Sequence, residues 1–177
     1  QAEDGIRDFC LSRGLGDVYK RQVLGVVGAP AFNKVWSGVV KGPNPKKNLT
    51  KKTRPTLRIV TSKSHRTVID TAFLNFLDKK GLRLRIISKG SSLKICTLAD
   101  KKADIYPRFG PTSEWDIAAA NAVLEASNGG IYDIHSKKKI VYGKADSVLN
   151  PSFFAISSRL KYCDIAKLVD EFSKKLL

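Results

Sequence analysis

Segments with the two-residue period of β-strands alternate along this chain with segments that have the 3.6-residue period of amphipathic helices. In residues 65–80, for example, apolar side chains recur on one helical face, and β-branched segments stand on either side at 56–62 and 82–88. Such alternation is typical of α/β domains. We therefore predict an α/β fold in which helices flank a mixed sheet. Strands are predicted at residues 23–29, 34–40, 56–62, 82–88, 103–108, 131–134, 140–142 and 153–157, and helices at 65–80, 92–102, 114–127 and 164–177.

The first 22 residues differ from this pattern. They show neither period, and their four acidic and four basic side chains cancel, so the net charge of +16 belongs to the rest of the chain. Their amino-acid sequence resembles the translated read-through of a sequencing adapter. We predict that residues 1–22 are a non-native or disordered extension, and that residues 23–177 form the α/β part. A short native extension is the alternative.

The charge of the chain indicates anionic partners. Lys and Arg number 32 against 16 Asp and Glu, and a domain this basic attracts polyanions whatever its function. Residues 41–55 hold six cations and no acid. A nucleic-acid-binding module is thus one open interpretation, although aromatic residues make up only 8% of the chain and do not interleave with the basic run.

Two classes of protein are excluded by composition. Three cysteines in 177 residues are too few for a disulfide-rich scaffold. No apolar run approaches the ~20 residues that a transmembrane helix needs. We predict a reduced, intracellular chain, in the cytoplasm or an organelle, that has no membrane partner.

Three polar segments follow predicted strands, at residues 61–65, 89–94 and 106–116. Loops at the carboxyl ends of strands are the usual ligand sites of open α/β sheets. The second segment can present main-chain N–H groups and the Lys94 ammonium to an anion. In the third segment, Arg108 can bind two phosphate oxygens at once, and Asp116 is the acid best placed to hold a hard cation such as Mg²⁺.

Each of these residues also has a purely structural interpretation. Gly-Ser-Ser is a common helix start, and Ser113 with Asp116 has the spacing of a capping box. His65 suits the start of a helix without any ligand, and Lys94 and Arg108 suit a generally basic surface. The residues by themselves leave these alternatives open.

Six motifs occur in order along residues 23–157. They are Gly-Val-Val-Gly-Ala-Pro at 25–30, Ser-Lys-Ser-His at 62–65, Gly-Ser-Ser-Leu-Lys at 90–94, Tyr-Pro-Arg-Phe-Gly-Pro-Thr at 106–112, Trp-Asp-Ile-Ala-Ala at 115–119 and Leu-Asn-Pro at 149–151. Together they resemble the C-terminal half of the inositol-monophosphatase-like, metal-dependent phosphatases. The resemblance is closest to the 3'(2'),5'-bisphosphate nucleotidases.

This resemblance implies the C-terminal half of a layered sandwich and a Mg²⁺-dependent removal of the 3'-phosphate from 3'-phosphoadenosine 5'-phosphate. By motif, it implies that Asp116 is a metal ligand that also touches the substrate. It further implies that His65, Ser91, Lys94 and Arg108 hold the nucleotide bisphosphate.

The chain departs from the family pattern in two places. Ala120 stands where the family motif ends in Gly, and residues 1–60 contain neither the Glu-Glu pair nor the Asp-Pro-x-Asp-Gly-Thr segment of the family's first half. We therefore predict a fragment that has no catalytic residues of its own and is inactive alone. The alternatives are a sugar phosphatase of the inositol monophosphatase type and a non-catalytic, basic nucleic-acid-binding module.

Overall fold

The computed structural model describes residues 11–16, 22–40, 56–62 and 66–175. These residues form eight strands, four helices and a single 3₁₀ turn at Pro30–Phe32. The strands are β1 (Leu11–Gly16), β2 (Gln22–Ala29), β3 (Lys34–Val39), β4 (Leu57–Ser62), β5 (Leu84–Lys89), β6 (Ile105–Arg108), β7 (Gly130–Asp133) and β8 (Phe153–Ile156). The helices are α1 (Val68–Lys79), α2 (Leu93–Ala99), α3 (Glu114–Ala126) and α4 (Tyr162–Ser173). None of these helices is both long and apolar enough to cross a membrane.

The larger sheet has five strands in the order β5-β4-β6-β8-β7. Strand β4 runs parallel to both of its neighbours, whereas β8 pairs antiparallel with β6 and β7. The predicted mixed sheet is thereby confirmed. Because β4, β5 and β6 are parallel, their carboxyl ends meet at one edge of the sheet.

The smaller sheet is antiparallel and has the order β1-β2-β3. Its first strand falls within the segment that we predicted to lie outside the fold. Leu11–Gly16 pairs with β2 along its length, although its side-chain pattern did not predict a strand. The physical reason is that a β-ladder joins main-chain groups and requires no side-chain period. That the segment is non-native stays a prediction.

The two sheets and two helix pairs form four layers. One core cluster joins Val27 of the small sheet to α2, α3 and one face of the large sheet, and a second joins α1 and α4 to the opposite face. Adjacent residues of β4 illustrate the division, because Val60 belongs to the first cluster and Ile59 to the second. The alternation of side chains along a strand thus gives the large sheet a helix pair on each face.

Helix α3 lies directly against the backbone of the small sheet. A Cβ atom built on Gly25 would lie 2.0 Å from the carbonyl oxygen of Ala119 and 2.8 Å from the Cβ of Ala122. Ala120, at which the chain departs from the family motif, is 1% exposed and packs inside the first cluster. Its methyl group is therefore accommodated within the core.

Most predicted elements are present, with shifted ends. The first helix begins at Val68 rather than 65, because Thr67 caps it. The second ends at Ala99 rather than 102, since Lys101 has a positive φ of 58°. The prediction of a strand at 140–142 is wrong. Within the described part of the chain this segment forms no continuous ladder, and the nearest pairing is an isolated bridge between Tyr132 and Lys139.

Candidate anion-binding site

The second and third polar segments predicted from the sequence meet at the edge of the large sheet where β4, β5 and β6 end. Helices α2 and α3 begin at the same edge, and their first turns are joined: the Ser92 hydroxyl donates a hydrogen bond of 2.8 Å to the carbonyl oxygen of Asp116. The second and third polar segments are therefore neighbours in the fold, as the motif analysis predicts.

Tyr106 lies at the centre of this edge. Its ring is buried, and the ammonium of Lys94 lies 5.5 Å from the ring centre. Burial raises the pKa of the Tyr106 hydroxyl, and Arg108 partly opposes that shift. The negative charges of Asp70 and Asp116 raise that pKa further.

Lys94 is a cation held inside the protein surface. Lys94 is only 9% exposed, and lysine is almost never this buried without compensating interactions. The face of Tyr106 provides one such interaction, because the quadrupole of an aromatic ring attracts a cation. The position of Lys94 is thus fixed by α2 below it and by Tyr106 beside it.

Arg108 is held by the loop that follows β6. One of its terminal nitrogens, Nη2, donates to the carbonyl oxygen of Pro111 at 3.1 Å. A Cβ atom on Gly110 would lie 3.3 Å from the guanidinium carbon, so the side chain packs against the bare backbone there. This fixed fork suits an anion with two acceptor oxygens.

Asp116 is both a helix cap and an exposed acid. Its Oδ2 atom accepts a 2.7 Å hydrogen bond from the N–H of Ser113, which is the capping geometry that their spacing predicts. The side chain remains exposed. Because a carboxylate has about four acceptor positions, the cap leaves room for a cation or a ligand donor.

The remaining two predicted site residues, Ser91 and His65, are not shown to contact the other site residues. Ser91 is exposed and has a left-handed backbone, with φ of 45°, and it is Ser92 whose side chain joins α2 to α3. His65 lies outside the described residues. Its predicted role stays a prediction.

Two buried polar residues that hold the third segment in place were not among the predicted site residues. Asp70 is 6% exposed, caps α1 through Thr67, and accepts a 3.4 Å hydrogen bond from the N–H of Phe109 at the start of the third segment. The Thr-x-x-Asp spacing was the signal that could have placed it. Asn150 is also buried. Its amide donates to the Ser113 carbonyl at 2.8 Å and to the Thr112 hydroxyl at 3.1 Å.

A divalent cation would find only one carboxylate of the predicted set here, that of Asp116. No group of three His, Cys, Asp or Glu side chains with metal-binding geometry occurs in the described ranges 11–16, 22–40, 56–62 and 66–175. The described residues therefore fit one ligand of a metal site rather than a whole site.

The fold and this edge define a class: a layered α/β domain in which two cations and a carboxylate converge where parallel strands end. Comparison with known proteins agrees. The sequence model of the inositol monophosphatase family matches residues 4–171, so the chain belongs to the inositol monophosphatase family.

Two bacterial relatives show the same likeness in sequence. The 3'(2'),5'-bisphosphate nucleotidase CysQ of Escherichia coli (strain K12) is 34% identical over 163 residues, and that of Salmonella typhimurium is 37% identical over 167 residues. Each alignment covers 85% of this chain and 63% of the relative. The chain therefore spans less than two thirds of the length of these curated relatives.

Two solved structures show the likeness in three dimensions. CysQ from Bacteroides thetaiotaomicron superposes with a TM-score of 0.67 and 28% identity, over 80% of this chain and 60% of that one. Staphylococcal IMPase-II superposes with a TM-score of 0.70 over 96% of this chain and 67% of that one. At 17% identity, the second match shows the fold alone.

Proposed function

We propose that this chain forms the substrate-binding part of a Mg²⁺-dependent phosphatase that removes the 3'-phosphate of 3'-phosphoadenosine 5'-phosphate, giving AMP and phosphate. The observation that carries the proposal is that Lys94, Arg108 and Asp116 lie at one sheet edge: the Ser92 hydrogen bond to Asp116 joins the starts of α2 and α3 there, and Arg108 ends β6. The names of the CysQ relatives support the nucleotide bisphosphate as the substrate class.

The two cations of the site would hold the phosphate groups. Arg108 offers two parallel N–H donors to one phosphate, and Lys94 adds a point charge beside it. Ser91 and His65 are proposed as further contacts to the nucleotide. These groups neutralise the charge of a substrate with several phosphate oxygens and orient it at the edge of the sheet.

Asp116 would contribute one ligand to Mg²⁺ and contact the substrate. When bound, such a metal supplies an activated water and stabilises the phosphoryl charge. Because the described residues hold one suitable carboxylate, we propose that the remaining ligands come from residues beyond those described. Residues 1–60 also contain neither of the two acidic motifs of the family's first half, so on this proposal the 177-residue chain by itself binds the nucleotide but does not hydrolyse it.

The test uses Trp115, which is 64% exposed and precedes Asp116, as a fluorescent reporter in a Trp36→Phe background. We expect 3'-phosphoadenosine 5'-phosphate to change this fluorescence at a lower concentration than AMP or inositol monophosphate does. Replacing Arg108 by Met should weaken bisphosphate binding at least about tenfold, since a hydrogen bond to a charged group contributes about 1.5–3 kcal/mol.

The matched control is Lys138→Met, which removes an exposed cation from the loop after β7. Equal loss in both variants would mean that only net charge matters, and the proposal would be wrong. Mg²⁺-dependent phosphate release by the 177-residue chain that survives Asp116→Asn would also contradict it. Tighter binding of inositol monophosphate than of the bisphosphate would assign the site to sugar phosphates instead.

A further inference from the structure

A second concave surface runs along one side of α2, from Leu93 in its first turn to Asp100 just past its C-terminal end. We call it the β3–α2 groove, and it is a cavity of about 520 Å³ whose aromatic and basic wall includes Phe32, Lys34, Trp36, Arg85, Lys89 and Lys102. Sites for small organic ligands typically measure about 300–1,000 Å³. The groove therefore has the size of a single small ligand.

One wall of the groove is a rigid aromatic surface. The indole N–H of Trp36 donates a 3.0 Å hydrogen bond to Asp100, and the ammonium of Lys34 lies 4.3 Å from the centre of the Trp36 ring. Phe32 lies in the 3₁₀ turn before β3 and is 55% exposed, with the Lys89 ammonium 5.9 Å from its ring centre. An exposed ring beside a cation suits a planar ligand that also carries negative charge.

The charge of the groove is positive after internal pairing. Among the described residues that line it, Asp100 is the one acid, and Lys34 donates to it at 2.5 Å. Arg58 is held by Asp104, which accepts from its Nε at 2.9 Å and from its Nη2 at 2.6 Å.

Two further cations of the groove lie along β5. Arg85 and Lys89 are both exposed, and within the described part of the chain neither forms an ion pair. They lie four residues apart on one strand, so they point to the same face about 13 Å apart along it. These two side chains are therefore available to an anionic ligand.

From this geometry we infer that the β3–α2 groove binds a nucleotide, whose base stacks on Phe32 and whose phosphates contact Arg85 and Lys89. Stacking on an aromatic side chain is worth about 1–3 kcal/mol per base, and every base has a ring face to offer. The ligand is either a free nucleoside phosphate or one residue of a single strand. This inference does not depend on the function proposed for the Asp116 edge.

The two tryptophans of the chain allow the groove to be observed separately. In a Trp115→Phe variant, the remaining fluorescence comes from Trp36 in the groove. We expect ADP to quench it in a saturable way, and Asp116→Asn to leave that response unchanged. A single-stranded RNA hexamer binding more tightly than ADP would identify a strand as the source, and the reverse would identify a free nucleotide. No quenching by either ligand would overturn the proposal.

The chemistry is tested by two substitutions in that background. Arg85→Gln combined with Lys89→Gln should weaken ADP binding at least about tenfold, and Phe32→Ala should also weaken it. The matched control is Lys138→Gln with Lys167→Gln, which removes two exposed cations elsewhere. If the control loses as much affinity, or if inorganic tripolyphosphate binds as tightly as ADP, a nucleotide site is refuted. Unchanged circular dichroism confirms that each variant is folded.

Discussion

The contact between Gly25 and α3 makes a quantitative prediction about how closely the layers pack. In Gly25→Ala, the new Cβ would lie 2.0 Å from the Ala119 carbonyl oxygen, 2.9 Å from its carbonyl carbon and 2.8 Å from the Ala122 Cβ. Real Cβ contacts of this kind hardly ever fall below 3.0 Å. Strand β2 and helix α3 must therefore separate by about 1 Å at this point to admit the methyl group.

That separation is costly because the obstacle is main chain. Overpacking a well-packed core typically costs about 1–3 kcal/mol, and more where nothing can yield. We expect Gly25→Ala to lower the free energy of unfolding by about 3 kcal/mol. For a domain of this size, that is a fall of roughly 6–12 °C in Tm.

The assay is urea unfolding followed by circular dichroism, with Val26→Ala as the control. Val26 is the next residue of β2, points to the opposite face and is 36% exposed, so its truncation should change the free energy of unfolding far less. Gly38→Ala gives a second comparison, since its new Cβ meets the Ala126 side chain at 2.6 Å. Adding Ala126→Gly should recover part of that loss.

No side-chain truncation should rescue Gly25→Ala, because a carbonyl oxygen cannot be removed. A loss below about 0.5 kcal/mol for Gly25→Ala would refute the argument, since surface substitutions commonly fall within that range. Full recovery on adding Ala122→Gly would refute it as well, because the main-chain contact would then not be the one that matters.

Three further substitutions test individual interactions. Asp104→Ala should lower the free energy of unfolding by about 3–5 kcal/mol, because Asp104 is 1% exposed and forms a salt bridge with Arg58. Replacing both Asp104 and Arg58 by Leu should cost less than Asp104→Ala alone in the same urea assay. Asn150→Ala should cost about 1–3 kcal/mol, because the Ser113 carbonyl and Thr112 hydroxyl lose their donor, and a loss near zero would contradict this. Glu114→Gln should destabilise the protein at pH 7 and have less effect as the pH falls, as measured by urea unfolding across a pH series.

The sign of the Glu114 prediction follows from its surroundings. Burial alone would raise the pKa of Glu114, but hydrogen bonds from Lys144 and from the N–H groups of Gly143 and Lys144 outweigh it, so that pKa lies below its ordinary value of 4.5. A carboxylate whose pKa is lowered on folding stabilises the fold above its unfolded pKa, and this contribution disappears as pH falls through the folded pKa. If the difference in stability between the original protein and the Glu114→Gln variant grows in acid, the assignment is contradicted.

The elements with one buried face were predictable from the sequence, because burial imposes a period on neighbouring residues. Helix α1 is of this kind, and its start was misplaced only because the Thr67 cap decides it. The pairing of Leu11–Gly16 was not predictable, since a ladder of main-chain hydrogen bonds leaves no mark on side-chain order. The segment at 140–142 has alternating burial but no continuous partner among the described residues, so its period was misleading.

The site was predictable to the extent that strand direction determines it. Parallel strands place their carboxyl ends together, so the polar segments after β5 and β6 had to meet. The β3–α2 groove depends instead on how the small sheet is laid against α2, which brings Trp36 to Asp100 across 64 residues of sequence. No local sequence pattern encodes that contact, so the sequence did not show that the aromatic residues of the groove lie beside its basic residues.

Asp116 combines a structural and a ligand-binding role, and two substitutions separate them. In Asp116→Asn, the amide oxygen can still accept the hydrogen bond from the Ser113 N–H, so the cap of α3 should survive while the negative charge is lost. In Asp116→Ala both are lost, and removing a cap typically costs about 1 kcal/mol. If Asp116 acts only as a cap, the Asp116→Asn variant should behave like the original protein in the Trp115 fluorescence titration of 3'-phosphoadenosine 5'-phosphate with Mg²⁺. If its charge holds the cation, both substitutions should weaken the Mg²⁺ dependence of that titration equally, although only Asp116→Ala lowers the free energy of unfolding.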